Sequence, residues 1–130
     1  MLVEGYLDLI ALAQAGVANA VATCGTAFTA EQARLLRRGA RRVVMLFDGD
    51  RAGRKAAVKS SHVCLAAGLE AEIATLPSGL DPADLVVQQG PEALHEVLRG
   101  AMGYLPFVRE AVAQAGDDRA ALEKGVHQVL

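Results

Sequence analysis

The chain has 130 residues, a formal net charge of −2 at neutral pH, 52% hydrophobic residues and 22% charged ones. That is long enough for one domain with its own core and too apolar for a disordered segment. No apolar run approaches the roughly 20 residues needed to cross a bilayer, and the opening Met1-Leu2-Val3-Glu4-Gly5-Tyr6 lacks the basic region and cleavage site of a secretory leader, so a cytoplasmic protein without membrane association is expected.

Taken in chain order, Leu2-Val3 reads as the tail of a strand whose beginning is missing. Residues 6–15 follow as a helix with Leu7, Ile10 and Ala11 at helical spacing, stopped by Gly16. Residues 17–22 read as a second strand and Thr23-Cys24-Gly25-Thr26 as a loop. Thr29, with Gln32 three residues on, forms a capping box for a helix over 30–38 that Gly39 ends. Val43 to Phe47 is a short apolar run rich in β-branched residues, and residues 42–47 read as a buried strand. A helix is predicted over 51–67, with Ala52, Ala56, Lys59 and Val63 on one side and Gly68 after it; a fourth strand spans 70–76. After the Pro77-Ser78-Gly79 loop, Asp81-Pro82 has the form of a helix cap followed by proline at the first helical position, and a further helix covers 91–99.

This alternation predicts an α/β fold: a central parallel four-stranded sheet with helices on both faces and right-handed crossovers. Beyond Gly100-Ala101-Met102-Gly103 the pattern is helical, over roughly 104–115 and 117–130, with no strand. A division follows: one domain over 1–100, its first strand truncated, and the start of a helical subdomain over 101–130.

The chemistry lies in the carboxylates. Asp48 and Asp50 end the third strand, Glu4 ends the first with Asp8 four residues on, and Asp81 follows the fourth, with Asp84 behind it. In open α/β sheets ligands bind beyond the carboxyl ends of the strands, so parallel strands bring these acids to one edge. Crowded carboxylates repel unless a cation is present, and hard oxygen donors suit Mg²⁺, whose chemistry fits phosphoryl or nucleotidyl transfer. Arg34, Arg37, Arg38, Arg41, Arg42, Arg51, Arg54, Lys55 and Lys59 form a basic band around Asp48 and Asp50, a field that attracts phosphates despite the net charge. Gly49 and Gly53 permit close backbone approach, and Gly25 either does the same or makes a tight turn. Cys24 and Cys64, with His62, His95 and His127, lack the spacing of a zinc site or disulfide framework; packing cysteines and surface histidines are expected.

Four blocks carry a resemblance: Val3-Glu4-Gly5-Tyr6-Leu7-Asp8, Thr23-Cys24-Gly25-Thr26-Ala27-Phe28-Thr29, Asp48-Gly49-Asp50-Arg51-Ala52-Gly53-Arg54-Lys55-Ala56, and Leu76-Pro77-Ser78-Gly79-Leu80-Asp81-Pro82. In order and spacing, over about residues 2–90, they resemble the Toprim domain of bacterial DnaG-type DNA primases. The resemblance implies a Toprim fold and template-directed synthesis of short RNA primers from ribonucleoside triphosphates on single-stranded DNA. It implies Glu4, Asp48 and Asp50 as catalytic residues organising Mg²⁺ or Mn²⁺, with Asp8 and Asp81 as further metal-site acids. Arg51, Arg54 and Lys55 then hold triphosphate or the nucleic-acid backbone. Many primases carry a second Asp two residues after the position of Asp81; this chain has Ala83, and Asp84 is expected to point elsewhere. The family places a zinc-binding domain and a basic polymerase subdomain before this region and a helicase-binding domain after it, so the resemblance implies a catalytic-core piece that binds metal and makes little or no RNA alone.

Rival chemistries share parts of the pattern. Haloacid-dehalogenase-type phosphohydrolases use Asp-x-Asp with a nucleophilic first Asp, but in a strand near the start of the domain; here the pair is third. A receiver-like domain needs an acidic pair at the first strand end and a late Lys. A Toprim nuclease shares the Glu and the Asp-x-Asp. The residues alone also leave Glu4 open between metal ligand and general base.

Overall fold

The computed structural model describes residues 1–114. Five strands form one sheet: β1 (Leu2–Val3), β2 (Val21–Ala22), β3 (Arg42–Phe47), β4 (Glu70–Thr75) and β5 (Met102–Gly103). Their order is β2-β1-β3-β4-β5. The first four are mutually parallel, as expected, and β5 adds an antiparallel edge, pairing Met102 with Ile73. This strand is not legible in the sequence, because two residues, one of them glycine, carry no period. The helices are α1 (Tyr6–Gln14), α2 (Ala30–Arg37), α3 (Arg51–Ala66), α4 (Pro82–Gln89), α5 (Pro91–Arg99) and α6 (Tyr104–Gln114). The helix predicted over 117–130 lies outside the described residues.

Strand residues alternate between two cores. Leu2, Val43, Met45, Phe47, Ala71 and Ile73 pack on one side with Phe28, Ala33, Ala57, Cys64 and Phe107, beneath α2, α3 and α6. Val3, Leu46, Ala74 and Leu76 pack on the other with Leu12, Leu85 and Leu94 from α1, α4 and α5. Both faces of β3 are therefore covered, which is why its sequence is a continuous apolar run.

Two local expectations are corrected. The second strand is Val21–Ala22 and not 17–22: the Val17 amide bonds the Leu12 carbonyl, ending α1, and only the last two residues meet the equally short β1. On α1 the inward residues are Asp8, Ala11 and Leu12, while Leu7 and Ile10 are exposed. On α3 the buried side is Gly53, Ala57, Ser60, Ser61 and Cys64, while Ala56, Lys59 and Val63 share another side, as expected, and line one cleft. Ser61 is accommodated because its hydroxyl donates to the Ala57 carbonyl at 2.8 Å.

Candidate metal and nucleotide site

In a sheet ordered 2-1-3-4, the chain leaves β1 toward one neighbour and returns on the other side, which opens a crevice at the carboxyl ends of β1 and β3. Glu4 directly follows β1 and Asp48 directly follows β3. The two principal acids thus occupy the topological switch point.

The loop carrying Asp48 and Asp50 is fixed by close backbone contacts. A Cβ on Gly49 would lie 2.1 Å from the Pro77 carbonyl oxygen, and one on Gly53 would lie 2.1 Å from that of Asp48. The Gly49 amide donates to the Leu80 carbonyl at 3.0 Å, joining the loops after β3 and β4. Asp50 caps α3, its Oδ1 accepting the Gly53 amide at 2.6 Å. Asp81 caps α4 in the same way, accepting the Asp84 amide at 2.7 Å, with Pro82 in the first turn. Asp8 is buried, and its Oδ2 accepts the Gly5 amide at 3.2 Å. Each of these three carboxylates spends one oxygen on a helix start. On the far side, the Thr23–Thr26 loop grips the Glu4 backbone: the Cys24 amide and the Thr23 hydroxyl both donate to the Glu4 carbonyl.

The electrostatics bind the acids into one cluster. Partial burial pushes the Glu4 carboxyl above its usual range, followed by the charges of Asp48, Asp50 and Asp8. Asp48 is raised by burial and then by Asp8, Asp81, Asp50 and Asp84. Asp8 is raised chiefly by burial and further by Asp81 and Asp84, while the Gly5 and Ala83 amides pull it back. Among the described residues the ion pairs are Arg42–Glu72 and Arg99–Glu96, so no Lys or Arg pairs with any of these acids. The convergence expected from the parallel strands is present. Asp84 adds its charge to Asp8 and Asp48. Asp81 holding the Asp84 amide keeps both residues at the same helix end.

Among the described residues no three His, Cys, Asp or Glu side chains come together as a group that could hold a metal ion. This donor set fits Mg²⁺ all the same: the ion is characteristically held by one or two carboxylates, with water and phosphate filling the octahedron, and uncompensated oxygens sit at the crevice. Arg51, Arg54 and Lys55 are exposed on the first turns of α3, whose N-terminus adds a favourable field for phosphate. Arg54 lines a small recess with Asp48, Gly49 and Phe107.

Of the remaining residues singled out in the sequence, Gly25 and Cys64 agree with an expected reading, and Cys24, His62 and His95 depart from it. Gly25 makes a tight turn at φ +82° with open space around it. Cys24 is exposed at φ 55° and is not a packing residue, whereas Cys64 is buried and its thiol is pushed up to about 11 by that burial. His62 meets the Tyr104 hydroxyl at 2.5 Å and His95 the Ala15 carbonyl at 2.9 Å, both partly buried instead of on the open surface. His127 lies outside the described residues. No helix among the described residues is long and apolar enough to cross a membrane.

Comparison with known proteins agrees with this architecture. A family model described as Toprim-like matches residues 1–86. DNA primase of Halalkalibacterium halodurans is 46% identical over 92 residues, covering 71% of this chain and 15% of that protein. The crystal structure of the Aquifex aeolicus primase (zinc-binding and RNA polymerase domains) superposes with a TM-score of 0.80 at 36% identity, covering 97% of this chain and 30% of that one. The RNA polymerase domain of Mycobacterium tuberculosis primase DnaG, in complex with a double-stranded DNA oligomer with a 6-nucleotide overhang, superposes with a TM-score of 0.68 at 36% identity, covering 98% and 44%. The chain belongs to the Toprim-like family, and the expected resemblance to the Toprim part of DnaG-type primases is borne out. It spans less than half the length of each of these relatives.

Proposed function

We propose that this chain is the metal-binding, nucleotidyl-transferring part of a DNA primase, acting in synthesis of short RNA primers on single-stranded DNA. The observation that carries the reading is the convergence of uncompensated carboxylates from three parallel strand ends on the β1/β3 crevice, in a chain whose relatives are DNA primases. Asp48 and Asp50 would hold Mg²⁺ or Mn²⁺, with Glu4 as a further ligand or as general base, Asp8 and Asp81 as further metal-site acids, and Asp84 adding to the negative field. When bound, the divalent ion lowers the pKa of an attacking hydroxyl and offsets charge on the leaving pyrophosphate.

The chain's own residues supply the rest. Asp50 uses one oxygen to cap α3 and keeps the other for the site. Asp8 and Asp81 fix the starts of α1 and α4, so the acids are held by the scaffold and not by flexible loops. Arg51, Arg54 and Lys55 neutralise the triphosphate or the nucleic-acid backbone. Glu4, whose carboxyl is raised by burial and by its acidic neighbours, either ligates metal or takes the proton of the attacking hydroxyl. The partners are the single-stranded DNA template, ribonucleoside triphosphates and the RNA primer, in the cytoplasm. A replicative helicase is engaged through a domain separate from residues 1–130. Residues 1–100 act as the Toprim domain and 101–130 begin the next helical subdomain.

A chimera in which this chain replaces the matching segment of the Aquifex aeolicus primase tests the reading. Mg²⁺-dependent ribonucleotide incorporation on single-stranded DNA, abolished by Asp48→Asn, is expected. A folded chimera that nicks DNA, or forms an acyl-phosphate on Asp48 and makes no primer, contradicts it.

A further inference from the structure

Away from the acid cluster, exposed basic side chains fall into a line. Arg51, Lys55 and Lys59 follow one another at four-residue steps along α3, all of them exposed. Residues so spaced share one side of a helix and stand about 6 Å apart along its axis. Arg34 and Arg38 repeat the step on α2 and are exposed as well. None of the five pairs with an acid among the described residues.

The seam between α2 and α3 joins the two sets. Two adjoining hollows, of about 570 and 340 Å³, share His62 and Val63; Lys59 lines the first and Arg34 the second. Arg37 closes the far end, its guanidinium donating to the Ala67 carbonyl at 3.1 Å and tying the end of α2 to the end of α3. Each helix starts beyond the carboxyl end of one parallel strand and stops before the next begins. The five cations therefore lead from the first turn of α3 across the flank of the fold to the opposite edge of the sheet. Apart from Glu4 at one end, no acidic side chain lines either hollow. Glu31 lies one turn before Arg34 on α2 and does not pair with it.

A single file of cations at a regular interval is complementary to a chain that carries one negative charge per repeat. The apolar side chains between them are small, and Phe28 and Phe47 in the wall are buried. The seam thus offers neither the large anchors of a protein interface nor an exposed platform for stacking bases.

We propose that this seam carries the phosphodiester backbone of one nucleic-acid strand across the flank of the fold, with Lys59, Arg34 and Arg38 as phosphate contacts remote from the acids. The proposal rests on the nucleotidyl-transfer reading for the identity of the polyanion and adds a path for the strand. The grip is ionic, independent of base sequence and of metal.

Fluorescence anisotropy of a labelled oligodeoxythymidylate, without metal and over a series of salt concentrations, tests it. At about −0.7 per phosphate of a single strand, five contacts give a slope of log K against log salt of about −3.5. Lys59→Gln, Arg34→Gln and Arg38→Gln should each reduce the steepness by about 0.7 and weaken binding of a mixed-sequence oligonucleotide to the same degree. Glu31→Gln should tighten binding. Arg42→Gln should leave the slope unchanged, since Arg42 alternates with Val43 onto the other face of the sheet and pairs with Glu72. Oligouridylate beside oligodeoxythymidylate separates primer from template: the polymer held more tightly is the strand the seam carries. An unchanged slope in all three variants, a strong preference for one base sequence, or tighter binding of poly-glutamate than of either oligonucleotide overturns the proposal, the last making the seam a site for an acidic protein segment. Absent Mn²⁺ binding with this salt dependence intact overturns the nucleotidyl-transfer reading and leaves the seam; Mn²⁺ binding without it overturns the seam alone.

Discussion

Gly49 sits so close to Pro77 that a Cβ would fall 2.1 Å from the Pro77 carbonyl oxygen. The loop that presents Asp48 and Asp50 is thereby pressed onto the loop that leads to Asp81, and the Gly49 amide bond to Leu80 holds it there. Backbone on both sides leaves no flexible atom to move aside. Gly49→Ala should destabilise the fold by about 3 kcal/mol, the upper range for forced overpacking. Gly39→Ala, where a Cβ meets nothing within 4 Å, should stay within about 0.5 kcal/mol of the original. Urea unfolding of the two variants checks this.

Asp50 has two separable roles. Its Oδ1 caps α3 through the Gly53 amide, and its charge contributes to the raised carboxyl of Glu4. Asn caps a helix about as well as Asp, while Ala forfeits about 1 kcal/mol. Asp50→Asn should therefore keep the unfolding midpoint and lose metal affinity; Asp50→Ala should lose both. Chemical denaturation beside a metal titration distinguishes them.

The raised carboxyls of Glu4, Asp8 and Asp48 make stability depend on pH. Their folded forms hold protons more tightly than the unfolded chain does, so the folded state binds more protons across the window above the ordinary carboxylate range. The contribution is fully present below that range and is lost as pH rises through the raised values. Without metal, the thermal midpoint should fall on going from mildly acidic to neutral solution, and Mn²⁺ should restore it at neutral pH. Asp48→Asn should flatten the dependence. Melting curves with and without Mn²⁺ give the answer.

Thiol reactivity should be one-sided. Cys24 is exposed, whereas Cys64 is buried with its thiol pushed up to about 11, and the thiolate is the reactive form. A thiol reagent should modify one cysteine in the native protein and both after denaturation, with Cys24 identified by peptide mass.

Legibility followed side-chain contrast. β3 was readable because both its faces are buried, so six residues end in an abrupt change at Asp48. The Thr29–Gln32 capping box and the Asp81-Pro82 helix start were readable because capping has a fixed spacing, and both form as expected. α1 misled because alanine suits either side of a helix, and the buried stripe of α3 escaped because it is set by small residues that let it lie close to the sheet, including Ser60 and Ser61, which sequence hydrophobicity counts as polar. β5 escaped because Met102 and Gly103 gain their extended form only from Glu72 and Ile73. At the site, the acids at the strand ends were legible from topology alone. A neighbouring cleft, between the loop from Thr23 to Phe28 and the side of α3 that carries Ala56 and Lys59, was not, because its two segments lie about 30 residues apart and only the folded sheet brings them together.

Calorimetric titration of the chain with Mn²⁺, beside Asp48→Asn, tests the central claim most directly. Asp48 makes no cap and its side chain accepts no backbone amide among the hydrogen bonds of the described residues, so the substitution removes charge and leaves the scaffold. Saturable binding that Asp48→Asn weakens by at least about tenfold, on the order of the loss expected for one ligand of a carboxylate site, is the predicted result. Equal binding by both, or none by either, would contradict a metal centre built on the β1/β3 crevice.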